Sequence, residues 1–90
     1  MDDVGALLAK RATTHGEFRD NARISQQLKT MFRAEQGWVR MTEVEREALD
    51  AIALKLCRIL SGSRFEVDHY RDIAGYAMLV VRELGGDDSV

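Results

Sequence analysis

An all-α fold, a small bundle of three to four helices, is predicted by three observations. Proline is absent. Helix formers dominate and β-branched runs are scarce. Apolar residues recur every three or four positions, and no alternating strand pattern persists.

The elements follow in chain order. Residues 2–12 read as a short amphipathic helix with Val4, Leu7 and Leu8 on one side. It ends before Thr13-Thr14-His15-Gly16. A second helix is predicted to start at Thr14, because Thr14-x-x-Glu17 fits a capping box: the hydroxyl accepts from a free amide and the carboxylate reaches back. It runs to about Ala34, with Phe18, Ala22, Leu28, Met31 and Phe32 as the inward stripe. Gly37, in Glu35-Gln36-Gly37-Trp38, breaks it. A third helix starts at Thr42, where Thr42-x-x-Glu45 repeats the capping box. Val44, Ala48, Leu49, Ile52, Leu56, Ile59 and Leu60 keep helical spacing to Ser61, and Gly62 suits a left-handed C-terminal cap. The fourth helix covers about 67–84. Its apolar arc (Ile73, Ala74, Ala77, Val80, Val81 and Leu84, widened by Tyr70, Tyr76, Met78 and Leu79) is too broad for one small core. It predicts burial on two sides, hence a homo-oligomer with this helix at the interface. Residues 85–90, Gly-Gly-Asp-Asp-Ser-Val, read as a disordered acidic tail after a single domain over 1–84.

Bulk properties narrow the partners. Ninety residues make one domain. Thirteen Lys and Arg against fifteen Asp and Glu give a net charge of −2, so no basic excess recruits duplex nucleic acid. One cysteine, Cys57, excludes an internal disulfide and fits a reducing compartment. Its apolar-periodic setting predicts a buried core thiol. The run after Asp2 and Asp3 is neither basic enough nor long enough for a signal peptide. No apolar stretch approaches the ~18–20 residues of a membrane span. The expectation is a cytoplasmic protein.

Several polar residues exceed what a simple bundle needs. On the third helix Glu47 and Asp50 share a face, as do Lys55 and Arg58; on the fourth, Asp68 and Asp72 do. Two readings stand. In one, Glu47, Asp50, Asp68 and Asp72 hold Mg²⁺ through hard oxygen ligands, while Lys55 and Arg58 grip phosphate. In the other, Glu47 and Asp50 are solvated charges favoured by a helix N-terminus, Asp68 is an N-cap, and Lys55, Arg58 and Asp72 form an ion-pair network. His15 is either a partly exposed residue of a turn eased by Gly16, or it joins free amides and Asn21 in holding an anion or a base. Trp38 is a core lid or a stacking platform. Tyr76 packs, and its hydroxyl needs a partner if buried.

Three stretches carry a resemblance: KRATTHGEFRDNARISQQLK (10–29), MTEVEREALDAIALKLCRILSG (41–62) and DHYRDIAGYAMLVVREL (68–84). Together they resemble a family of small phage and prophage proteins of unassigned function. The family pattern is a Thr-His-Gly-Asp/Glu-Phe start, a Glu-Ala-Leu-Asp…Lys-Ile/Leu-x-Arg-Ile helix and an Asp-Asp-Ile-Ala-Gly-Tyr helix. Members are often labelled phosphofructokinase, for which this chain is too short and lacks an α/β pattern. More distantly, the layout is similar to the helical hairpins of MazG-type nucleotide pyrophosphohydrolases. In those, Glu-x-x-Glu and Glu-x-x-Asp pairs bind Mg²⁺ and split NTPs. Here Glu47-x-x-Asp50 matches the first pair, and Asp68-x-x-x-Asp72 departs from the second by one residue. The resemblance implies a helical oligomer, encoded by a phage and acting in a bacterial host. It also implies a nucleotide-sized polar pocket, rimmed by His15 and lined by Asn21, Lys55, Arg58, Asp72 and Tyr76.

Three functions remain in contention: a protein that sequesters or processes a nucleotide or cyclic nucleotide, a nucleotide immune signal among the candidates; a protein–protein interaction module without a small ligand; and a Mg²⁺-dependent nucleotide pyrophosphohydrolase.

Overall fold

The computed structural model describes residues 3–87. The described chain is all-α, with helices α1 (Asp3–His15), α2 (Phe18–Ala34), α3 (Gln36–Arg40), α4 (Glu43–Ser61) and α5 (Val67–Glu83). Among the described residues no helix is long and apolar enough to cross a membrane. The tail expected over 85–90 falls partly outside the described residues, since 88–90 lie beyond them, as does Asp2.

α4 is the central element. It packs along α5 in a hairpin and against α2 on another side, while α1 meets it only sparingly. The fully buried apolar residues are small ones, Ala48, Ala53 and Cys57, all on α4. Small side chains let the neighbouring helices approach closely. Burial also raises the Cys57 thiol above its usual pKa, so it is an inert core group, as its spacing predicted.

The start of α4 follows the sequence reading. Thr42 Oγ1 accepts from Glu45 N at 3.2 Å, and Glu45 Oε1 accepts from Thr42 N at 3.1 Å. This reciprocal box satisfies two amides that a helix start otherwise leaves free.

The other predicted capping box does not form. Thr14 belongs to the last turn of α1, and α2 begins at Phe18 behind Glu17, whose side chain makes no cap bond. The reason lies in Gly16, which takes φ +82° and donates its N–H to Ala12 O at 3.0 Å. It is the left-handed stop of α1, so the chain cannot continue helically through it. Gly62 is not left-handed; its φ is −113°. A Cβ there would lie 2.5 Å from Thr14 O and 2.6 Å from Gly16 N. Gly62 is therefore required by close approach of two chain segments, not by backbone hand. The left-handed cap of the hairpin's second helix falls at Gly85, φ +83°.

Gly37 does not break α2. The break is the extended residue Glu35, and Gly37 lies inside the five-residue α3. That short helix brings Trp38 onto Phe32, ring centroids 5.7 Å apart. The Arg33 guanidinium lies 4.6 Å from the Trp38 ring centroid, and Arg46 donates to Trp38 O and Val39 O at 3.0 and 2.7 Å. Trp38 is thus a lid on the α2–α4 end.

The inward stripe of α2 is also corrected. Phe18 is 84% exposed and Met31 is exposed. The face turned to α4 runs through Asn21, Ser25, Leu28 and Phe32, and the two fully buried members are polar. On α5 the broad apolar arc leaves Val67, Tyr70, Leu79 and Leu84 exposed.

Candidate functional site

Four helix ends meet around the α1–α2 turn. Gly16 presses against the backbone of Ser61 at the end of α4, where a Cβ would lie 2.6 Å from Ser61 C and O. From α2, Asn21 Nδ2 donates to His15 O at 2.7 Å. The Ser61 hydroxyl donates to Asn21 Oδ1 at 2.6 Å and lies 2.8 Å from Cys57 O. From α5, buried His69 approaches Thr14 O with Nε2 at 2.9 Å. A carbonyl can only accept, so Nε2 carries the proton. Ser63 N donates to the same oxygen at 3.2 Å. Every polar group in this knot has a partner, which is the condition for burying them.

Beside the knot α1 and α2 diverge, and α4 backs the space between them. The cleft measures about 670 Å³, within the range of small-molecule sites. Its vertex is formed by His15, Glu17, Phe18, Asn21 and Arg58, and its open end by Leu8, Lys29 and Leu54. Three cations, Arg11, Lys29 and Arg58, line it against one carboxylate, Glu17.

His15 sits between the knot and the cleft. Its Nδ1 lies 2.6 Å from the Thr14 hydroxyl, and its ring meets His69 edge-on at 5.0 Å. Its pKa is held below the usual histidine value, first by burial and then by the positive charge of Arg58, His69, Arg11 and Lys55. The neutral imidazole is favoured, and an anion arriving here would meet an electropositive vertex.

The expected ligand residues divide. His15, Asn21 and Arg58 converge on the cleft, while Lys55, Asp72 and Tyr76 are absent from its lining. Lys55 Nζ is bound to Asp72 Oδ2 at 2.8 Å across the α4–α5 hairpin, and Lys55 holds the Asp72 carboxyl below its ordinary pKa. Tyr76 is half-buried on α5.

The proposed Mg²⁺ ligands do not come together. Asp50 takes a two-point hydrogen bond from Arg33, at 3.2 and 2.8 Å. Asp68 is not the N-cap of α5, a position held by Glu66; it pairs with Arg71 at 3.2 Å. Asp72 pairs with Lys55, and Glu47 is exposed. Among the described residues no group of three or more His, Cys, Asp or Glu could hold a metal ion. Asp50, Asp68 and Asp72 are held in separate ion pairs with basic side chains and Glu47 is exposed, so this residue set does not fit Mg²⁺.

The sequence reading missed Arg11, Lys29, Ser25 and Phe18 as cleft residues, and His69 and Ser61 as knot residues. A signal existed for one of them. Ser25 is a polar residue four after Asn21 on the same face as Leu28 and Phe32, an interior position for a polar group.

No family model, no curated protein and no solved structure matches this chain.

Proposed function

We propose that this protein binds a nucleotide or cyclic nucleotide in the α1–α2 cleft and sequesters it. One observation carries the reading: Arg11, Lys29 and Arg58 line one nucleotide-sized cleft, and among the described residues none of them has a carboxylate partner. Lys55, Arg33, Arg23 and Arg71, by contrast, all do. Unpaired cations around a partly enclosed cavity suit a phosphorylated ligand, with arginine offering a planar fork to its oxygens. Exposed Phe18 at the vertex offers a face on which a base stacks.

Binding is favoured over hydrolysis, because the acids that a pyrophosphohydrolase needs to gather lie apart among the described residues. The interaction-module reading draws on the apolar face of α5, where Val67, Tyr70 and Leu79 are exposed.

Titration calorimetry with a panel of mono-, tri- and cyclic nucleotides tests the reading. Saturable binding by one member is expected, weakened at least tenfold in Arg58→Ala with helical circular dichroism unchanged. No heat from any of them, or an unchanged affinity in Arg58→Ala, would sink it.

A further inference from the structure

We propose that α1 is a dimerisation element, docking antiparallel against the α1 of a second copy of this chain. The inference concerns the face of α1 that borders the open end of the cleft, which Leu8 and Arg11 also line, and its tests are separate from those of ligand binding at the vertex.

The chain by itself leaves too much surface. It exposes 6634 Å², whereas a compact monomer of 10.2 kDa exposes roughly 5,300 Å². Its radius of gyration is 15.2 Å, against about 12 Å for a compact domain of this length. The excess, about 1,000 Å² or more, exceeds the ~800 Å² that each partner contributes to a standard interface.

α1 is where support is most lacking. Every residue from Asp3 to Arg11 is exposed, Val4, Leu7 and Leu8 included. An isolated helix of 13 residues is marginal in water unless an apolar face is covered. α5 also carries exposed apolar residues at helical spacing, Val67, Tyr70, Ala74 and Ala77, but its other side is packed along α4, whereas α1 has no such support.

The sequence of α1 says what covers it. Asp3 and Lys10 are seven residues apart, so both flank the apolar seam on the same side, one acidic near the start and one basic near the end. Both are exposed, and among the described residues neither has a salt-bridge partner. Two such helices related by a two-fold axis near Leu7 run antiparallel. Each Asp3 then meets the partner's Lys10, twice per dimer, around a centre of Val4, Leu7 and Leu8. A parallel pair would leave Asp3 and Lys10 at opposite ends of the seam and form neither ion pair. This self-complementarity is what an isologous contact requires. The partner's α1 also walls the open end of the cleft beside Leu8.

Sedimentation equilibrium of the native chain at tens of micromolar is expected to give a dimer or an even multiple of it. Leu7→Glu removes no core contact, since Leu7 is exposed, and halves the assembly. Asp3→Lys and Lys10→Asp each weaken association several-fold, and the double exchange restores it. Under mild oxidation Leu7→Cys yields a covalent dimer and Leu84→Cys does not; native Cys57 is buried and stays silent. A monomeric native chain, an assembly indifferent to Leu7→Glu, failure of the double exchange to restore it, or crosslinking through position 84 instead of position 7 each overturns the proposal. Nucleotide binding is measured separately on the same variants, so the two readings fail independently.

Discussion

His69 on α5 donates its Nε2–H to the carbonyl oxygen of Thr14, 55 residues earlier, at 2.9 Å. That single bond joins the end of α1 to the start of α5 beneath the cleft. It explains why a turn of small polar residues is held rigidly enough to present His15. The carbonyl also accepts from Ser63, so the last turn of α1 is satisfied by tertiary partners instead of solvent.

Asn21 is expected to be the most costly polar residue to remove. It serves His15 O and Ser61 Oγ together and is 8% exposed. Asn21→Ala leaves a buried carbonyl short of its donor and should cost about 1–3 kcal/mol. Urea denaturation measures it, with Arg19→Ala on the exposed face as a neutral control.

Two glycines should respond oppositely to alanine. Gly16→Ala meets both a left-handed backbone and the Ser61 backbone, and is expected to lower the melting temperature sharply. Gly75 lies within α5 and an added Cβ meets nothing within 4 Å. Gly75→Ala should stabilise by about 0.5–1 kcal/mol through helix propensity. Thermal melts of the pair separate the two causes.

The pH dependence follows from His15. Its folded pKa lies below the ordinary histidine value of 6.5, so between the two values the unfolded chain binds more protons. The stabilisation is therefore complete above the unfolded pKa and is lost as pH falls through 6.5 toward the folded value. Melting temperature should drop between about pH 7.5 and pH 5, and His15→Gln should flatten that drop. Asp72, whose pKa is lowered by Lys55, adds a loss only at more acidic pH. A bound anion stabilises protonated His15, so ligand affinity should rise as pH falls over the same window.

Lys55 and Arg58 are three residues apart on α4 yet should behave differently. Lys55 is committed to Asp72 and lies outside the cleft lining, whereas Arg58 lines it. Lys55→Ala is expected to lower stability only slightly, because solvent screens an exposed pair, with ligand affinity nearly unchanged. Arg58→Ala should do the reverse. Parallel calorimetry and denaturation of both variants check the contrast.

The sequence by itself determined the helical class, the Thr42–Glu45 start of α4, the end of α4 near Ser61 and the inert burial of Cys57. These rest on local spacing and on bonds between residues three or four apart, which the chain writes out directly. The tertiary structure alone decided the rest. Spacing made Lys55 and Arg58 equivalent, and packing gave one to Asp72 and the other to the cleft. Spacing placed Asp50 and Asp68 among metal ligands, and packing gave them to Arg33 and Arg71. Thr14 and Glu17 satisfied the pattern of a capping box, but Gly16 had to turn left-handed for its backbone to press against Ser61. That contact joins residues far apart in the chain. No periodicity records it, because close approach depends on where two helices end in space and not on the order of the residues within either.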